Sequence, residues 1–173
     1  MICNRRTIRL AEYDYSQTGY YFLTICSNNK KNIFGKYNEY VREGLASSHN
    51  NIQLSIIGQI IDIQWNDITN KYNNIELDKY IVMPNHIHGI LIINKREDAR
   101  PSPTIFDIIC SFKSKCTVEY LKYIKHNNLN ISGKIWQRAF YEHVIRNELS
   151  LNEIREYIIN NPAKWQEDKY YIP

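Results

Sequence analysis

Tyr80-Ile81-Val82-Met83-Pro84-Asn85-His86-Ile87-His88-Gly89-Ile90-Leu91-Ile92-Ile93 reads as two apolar strand segments hinged at Met83-Pro84-Asn85. Side chains of a strand alternate between faces, so His86 and His88 project to one side and Ile87 to the other. Two imidazoles side by side on a stiff strand can bind one metal ion. The same pair can also simply pack and hydrogen-bond, so the rest of the chain has to decide between these readings.

Working outward, Gly19 to Ser27 (Gly-Tyr-Tyr-Phe-Leu-Thr-Ile-Cys-Ser) is rich in aromatic and β-branched residues and predicts a strand. Phe34 to Leu45 has room for one or two short strands. Ile56, Ile57, Ile60, Ile61, Trp65 and Ile68 recur at helical spacing and predict a helix over 55–71. Ile75 to Val82 and His86 to Ile93 are expected to pair antiparallel. Lys95 to Pro103 is a charged loop. Thr104 opens a long helix with Asp107 completing its first turn, and Ile105, Ile108, Ile109, Phe112, Cys116, Tyr120 and Ile124 form its apolar stripe. Trp136 to Ile145 predicts a fourth main strand. Ser150-Leu151-Asn152-Glu153 reads as a capping box, with Leu151, Ile154 and Ile158 turned inward and Pro162 ending the helix. The tail from Ala163 has one anchor, Trp165. The order strand, helix, strand, strand, helix, strand, helix predicts an α+β, ferredoxin-like antiparallel sheet of four to five strands with helices on one face. The other face is left for a ligand. A single domain with a core of about 15–165 is expected.

Length and composition fit this. A chain of 173 residues can bury a sizeable core. No apolar run approaches the roughly 20 residues needed to cross a bilayer, and no leader-like segment follows the N-terminus, so a cytoplasmic protein is expected. The four cysteines, Cys3, Cys26, Cys110 and Cys116, have no paired spacing and read as reduced thiols, with Cys26 and Cys116 in the core. Between Thr104 and Asn147 there are seven basic residues (Lys113, Lys115, Lys122, Lys125, Lys134, Arg138, Arg146) and three acidic ones, an excess equal to the whole net charge of +4. Such a stretch is either a solvated helix face or a footprint for a polyanion.

In the last helix Tyr157 and Asn161 are one turn apart on one face, bracketed by Glu153 and Lys164. The Asn161 amide oxygen is a candidate third ligand for an ion held by His86 and His88. A nitrogen–oxygen set suits Mg²⁺ or Mn²⁺ and tolerates Zn²⁺. Tyr157 would then stand one turn from the metal. A phenol needs nearby positive charge to become a good nucleophile, and in a chain with 14 tyrosines Tyr157 can equally be a half-buried aromatic.

Three segments together resemble the REP-associated tyrosine transposases and the wider single-tyrosine HUH transposases. They are Val82-Met83-Pro84-Asn85-His86-Ile87-His88, then Trp136-Gln137-Arg138-Ala139-Phe140-Tyr141-Glu142-His143-Val144-Ile145-Arg146-Asn147, then Glu156-Tyr157-Ile158-Ile159-Asn160-Asn161-Pro162. Ser111-Phe112-Lys113-Ser114-Lys115 is similar to the family's middle helix. The resemblance implies His86, His88 and Asn161 as metal ligands and Tyr157 as catalytic nucleophile. It implies single-stranded DNA beside a hairpin as substrate, a 5′-phosphotyrosine intermediate with a free 3′ hydroxyl, and no membrane. Lys113, Lys115 and Arg138 are candidates to neutralise phosphates. His143 is expected to be structural or to support the ligands. The short Asn147-Glu148-Leu149 link points to a monomer rather than a homodimer. Two alternatives are a domesticated, non-catalytic hairpin binder and a metal-dependent hydrolase without tyrosine chemistry. The latter would need carboxylates near the ligands, where Asn85 and Gly89 stand instead.

Overall fold

The computed structural model describes residues 16–38, 51–96 and 103–172. Four strands form the main sheet: β1 (Gly19–Cys26), β4 (Ile75–Val82), β5 (His86–Ile93) and β6 (Tyr141–Ile145). Their order is β4-β5-β1-β6 and every pairing is antiparallel. Read as first to fourth main strand, that is the 2-3-1-4 order of a split βαβ fold, as the pattern predicts. Two short strands outside the sheet, β2 (Gly35–Tyr37) and β3 (Ile52–Leu54), pair with each other. Part of the stretch expected to hold short strands, 39–45, and Cys3 lie outside the described residues.

The first helical stretch is α1 (Ile56–Asn66) followed by a short α2 (Ile68–Lys71). Ser55 caps α1 by accepting from the Gly58 amide. The long helix α3 (Ile105–His126) starts on the expected capping box, Thr104 and Asp107 each accepting from the other's backbone amide. The helices α1 and α3 cover one face of the sheet. Ile57, Ile61, Trp65, Ile105, Ile108, Ile109, Phe112 and Cys116 pack there on Tyr21, Leu23, Ile25, Ile87, Leu91 and Ile93. Gly89 is required on that face: a Cβ there would lie 2.4 Å from Trp65 Cζ2, so the absence of a side chain lets the indole seat directly on β5.

The last helix, α4 (Glu148–Asn160), departs from the one-face arrangement. It crosses the opposite face, where Leu151 and Ile158 bury against Phe22, Ile90 and Ile145. It also starts one turn earlier than the Ser-x-x-Glu pattern suggests. Asn147 is the cap, extended as it leaves β6, and its side chain accepts from the Ser150 amide at 2.8 Å. Asparagine and serine cap about equally well, and the upstream residue already has the extended backbone a cap requires. The expected 147–149 link is thus the helix start itself. A register shift in β4 between Leu77 and Tyr80 brackets Asp78, whose carboxylate receives Arg155 Nε of α4 at 2.8 Å. That ion pair joins α4 to the sheet edge.

The fourth strand is shorter than expected. Trp136 makes only an isolated bridge to Ser27, and regular pairing begins at Tyr141. Beyond Pro162 the tail turns back over the end of β5. Trp165 is buried as its anchor, Asn32 Nδ2 donates to Ile172 O at 3.1 Å, and Asn85 Nδ2 donates to Tyr170 O at 2.8 Å. Cys26 and Cys116 are buried free thiols and Cys110 is an exposed one; burial pushes the Cys26 thiol up to about 11. Among the described residues no helix is long and apolar enough to cross a membrane.

Candidate active site

The alternation of β5 puts His86, His88 and Ile90 on the α4 side and Ile87, Gly89 and Leu91 on the α1–α3 side. Both histidines are fully buried, with ring centroids 4.4 Å apart. Burial pushes the His86 pKa down to about 3, with help from Lys169 and Lys30, and holds His88 well below its ordinary value. Both rings are therefore neutral, the state a metal ligand requires.

The tautomer of His86 follows from its neighbour. Asn85 Nδ2 donates to two carbonyls, Lys30 O at 3.0 Å and Tyr170 O at 2.8 Å. The other atom of that amide must then be the oxygen, and it lies 2.8 Å from His86 Nδ1. An oxygen there can only accept, so Nδ1 carries the proton and Nε2 carries a free lone pair. His88 is held between two hydroxyls, each able to donate or accept. Thr24, its direct partner across the β1–β5 register, sits with Oγ1 2.8 Å from Nδ1. The Tyr157 hydroxyl lies 3.1 Å from Nε2.

Helix α4 brings Tyr157 to His88, and its C-cap Asn161 reaches Asp168. Asn161 is buried and its Nδ2 donates to Asp168 Oδ2 at 2.7 Å. That bond turns Asn161 Oδ1 the other way, where it has no partner among the described residues. His86 Nε2 is likewise buried and unpartnered. Buried polar atoms are rarely left so. A buried acceptor without a hydrogen-bond donor suits a divalent cation, which accepts lone pairs and needs no hydrogen. The ligand atoms of His86, His88 and Asp168 all lie within 4.8 Å of one another.

Tyr157 is 39 % exposed at the mouth of a cleft of about 630 Å³, lined by Glu153, Asn161, Lys164, Asp168 and Lys169 among others. Its phenol pKa is raised, first by burial and then by the Asp168 carboxylate, to which it donates at 3.3 Å. The protein's own groups thus keep the hydroxyl protonated, opposite to the positive setting that a nucleophile requires.

Of the expected phosphate contacts, Lys113 Nζ donates to Gln137 O at 2.6 Å and Arg138 O at 3.1 Å. Lys115 Nζ pairs with Asp67 Oδ2 at 2.6 Å. Lys113 is thus held by two carbonyls, and Lys115 shares its charge with Asp67 at the surface. The Arg138 and His143 side chains are exposed. Sequence reasoning missed the cations nearer the histidines. The Lys30 and Lys169 ammoniums each lie 5.0 Å from the centre of the Tyr170 ring, which packs 4.7 Å from His86. It also missed Asp168 and the orienting roles of Asn85 and Thr24. The tail has no periodicity to signal Asp168, and the expected core stopped at about residue 165. Asn85 stood inside the motif, but its bonds reach 55 and 85 residues away.

The family model for IS200-like transposases matches residues 14–161. A Haemophilus influenzae protein of uncharacterised function is 32 % identical over 187 aligned positions, covering 99 % of this chain and 95 % of its own. A second protein of that organism, named as a candidate REP-associated tyrosine transposase, is 29 % identical over 83 residues, or 48 % of this chain and 47 % of its own. Among solved structures, a REP-associated tyrosine transposase bound to a REP hairpin superposes with a TM-score of 0.53 at 20 % identity, covering 92 % of this chain and 77 % of that one. A candidate transposase from Deinococcus radiodurans superposes with a TM-score of 0.50 at 17 % identity, covering 89 % and 97 %. These two likenesses establish the shared fold.

Proposed function

We propose, on the premise that this chain belongs to the IS200-like transposase family, that it cleaves and rejoins single-stranded DNA beside a hairpin with Tyr157 as nucleophile. The observation that carries this reading is the position of the Tyr157 hydroxyl, 3.1 Å from Nε2 of His88, whose ring packs 4.4 Å from that of His86. His86, His88 and Asn161 would hold a divalent ion, Mg²⁺ or Mn²⁺ by the hardness of the set. Such an ion supplies positive charge that polarises the scissile phosphate and offsets the raised phenol pKa.

The remaining chemistry belongs to the chain. Tyr157, exposed on one edge, releases its proton to solvent, and its oxygen attacks phosphorus. The new Oη–P bond forms as the P–O3′ bond breaks, leaving a 5′-phosphotyrosine and a free 3′ hydroxyl. A 3′ hydroxyl attacking the same phosphorus reverses the step and joins strands. Burial keeps the imidazoles neutral, and Asn85 and Thr24 keep them turned inward. Lys30, Lys169 and Arg138 meet DNA phosphates, with Lys113 and Lys115 held by their internal partners. Tyr157 reaches a histidine of its own chain, which supports a monomer acting in cis.

A labelled hairpin with a single-stranded flank, incubated with Mn²⁺ or Mg²⁺, should leave a covalent protein–DNA adduct that survives denaturing electrophoresis. Tyr157→Phe should form none; an adduct with that variant would mean another nucleophile. One observation favours the second reading, a non-catalytic hairpin binder: Asp168 holds the phenol protonated. Tight hairpin binding with no adduct under either metal would establish it.

A further inference from the structure

We infer that Asp168, in the segment beyond α4, is a carboxylate ligand of the same ion, so that the folded-back tail forms part of the metal site. This rests on the metal reading above and adds a residue that the tyrosine helix and the histidine strand do not supply. A carboxylate oxygen of Asp168 and the ring nitrogens of His86 and His88 fall within 4.8 Å of one another, a spacing that one ion can bridge. Two of the atoms proposed to share the ion, His86 Nε2 and Asn161 Oδ1, are buried and bare.

The carboxylate is held in place from two sides. Its Oδ1 accepts from the Tyr170 amide at 2.6 Å, a local turn that fixes the side chain, and its Oδ2 accepts from Asn161 Nδ2 at 2.7 Å. Trp165 and the Asn85–Tyr170 bond anchor the segment on both sides of it. Charge gives the chemical reason. Two neutral imidazoles and an amide leave a divalent ion with its full charge in a buried pocket, which is costly. One carboxylate halves that charge and adds a hard oxygen donor, which favours Mg²⁺ or Mn²⁺ over softer ions.

Asp168 also orients Asn161, so a loss of affinity on removing it could reflect Asn161 alone. A double-mutant cycle separates the two roles. Mn²⁺ is titrated calorimetrically into the full chain, Asn161→Ala, Asp168→Ser, the double variant and His86→Ala, with folding checked by thermal melts. Serine retains an oxygen for the Tyr170 amide and so preserves the turn. If Asp168 is a ligand, adding Asp168→Ser to Asn161→Ala weakens Mn²⁺ binding further, by about tenfold or more. If the double variant binds as Asn161→Ala does, Asp168 only orients Asn161 and the inference is overturned. If the unaltered chain fails to bind Mn²⁺, or His86→Ala binds as it does, the metal reading itself fails and takes this inference with it.

Discussion

Asn85 is the residue on which the site and the fold depend together, so Asn85→Ala tests both. The side chain is fully buried and makes three hydrogen bonds, to Lys30 O, Tyr170 O and His86 Nδ1. Alanine leaves each of those partners, one buried and two half-buried, without its mate. At about 1–2 kcal/mol for each stranded group, the loss of stability should be about 3–6 kcal/mol, a large share of the roughly 5–15 kcal/mol that holds a domain together. The same change frees the His86 ring and its tautomer. Losing an orienting partner of this kind costs about 10–100-fold in metal affinity. Urea denaturation measures the first effect and Mn²⁺ calorimetry below the transition measures the second. Asn85→Asp separates them: it keeps an acceptor for His86 Nδ1 but cannot donate to either carbonyl. That variant should lose stability as alanine does and retain most of the metal affinity. A folded Asn85→Ala protein binding Mn²⁺ as tightly as the parent would refute the tautomer argument. A stability loss under about 1 kcal/mol would refute the reckoning of stranded groups.

Acid should destabilise the protein in a definite window. The His86 pKa is pushed down to about 3 when folded, against about 6.5 unfolded, so the unfolded chain takes the proton first as pH falls. Stability is complete above about pH 6.5 and is lost progressively towards pH 3, with about 2 kcal/mol gone at pH 5; His88, also lowered, acts in the same direction. Denaturation curves at pH 7.5 and pH 5 should show this, His86→Asn should flatten the dependence, and equal curves for the parent would count against it. Lys169→Ala should weaken hairpin binding and reduce the slope of log affinity against log salt by about 1. Lys115→Ala, whose ammonium already faces Asp67, should leave that slope alone; the reverse pattern would return the phosphate contact to α3.

What the sequence determined by itself was whatever repeats locally. The two-residue alternation around His86 and His88, the stripe from Ile105 to Tyr120 and the four-residue step from Tyr157 to Asn161 each encode a face, and each face is where the pattern put it. Local signals failed where two of them competed, as at Asn147 and Ser150, both competent caps. Only the tertiary structure decided which face α4 would cover, because its apolar stripe suits either side of the sheet. Only the tertiary structure brought Asp168 and Tyr170 to the histidines, through a tail without periodicity held by Asn85 and Trp165. It also set Lys113 against two backbone carbonyls and Lys115 against Asp67. A lysine carries the same charge wherever it stands, and what that charge meets is a property of the folded chain.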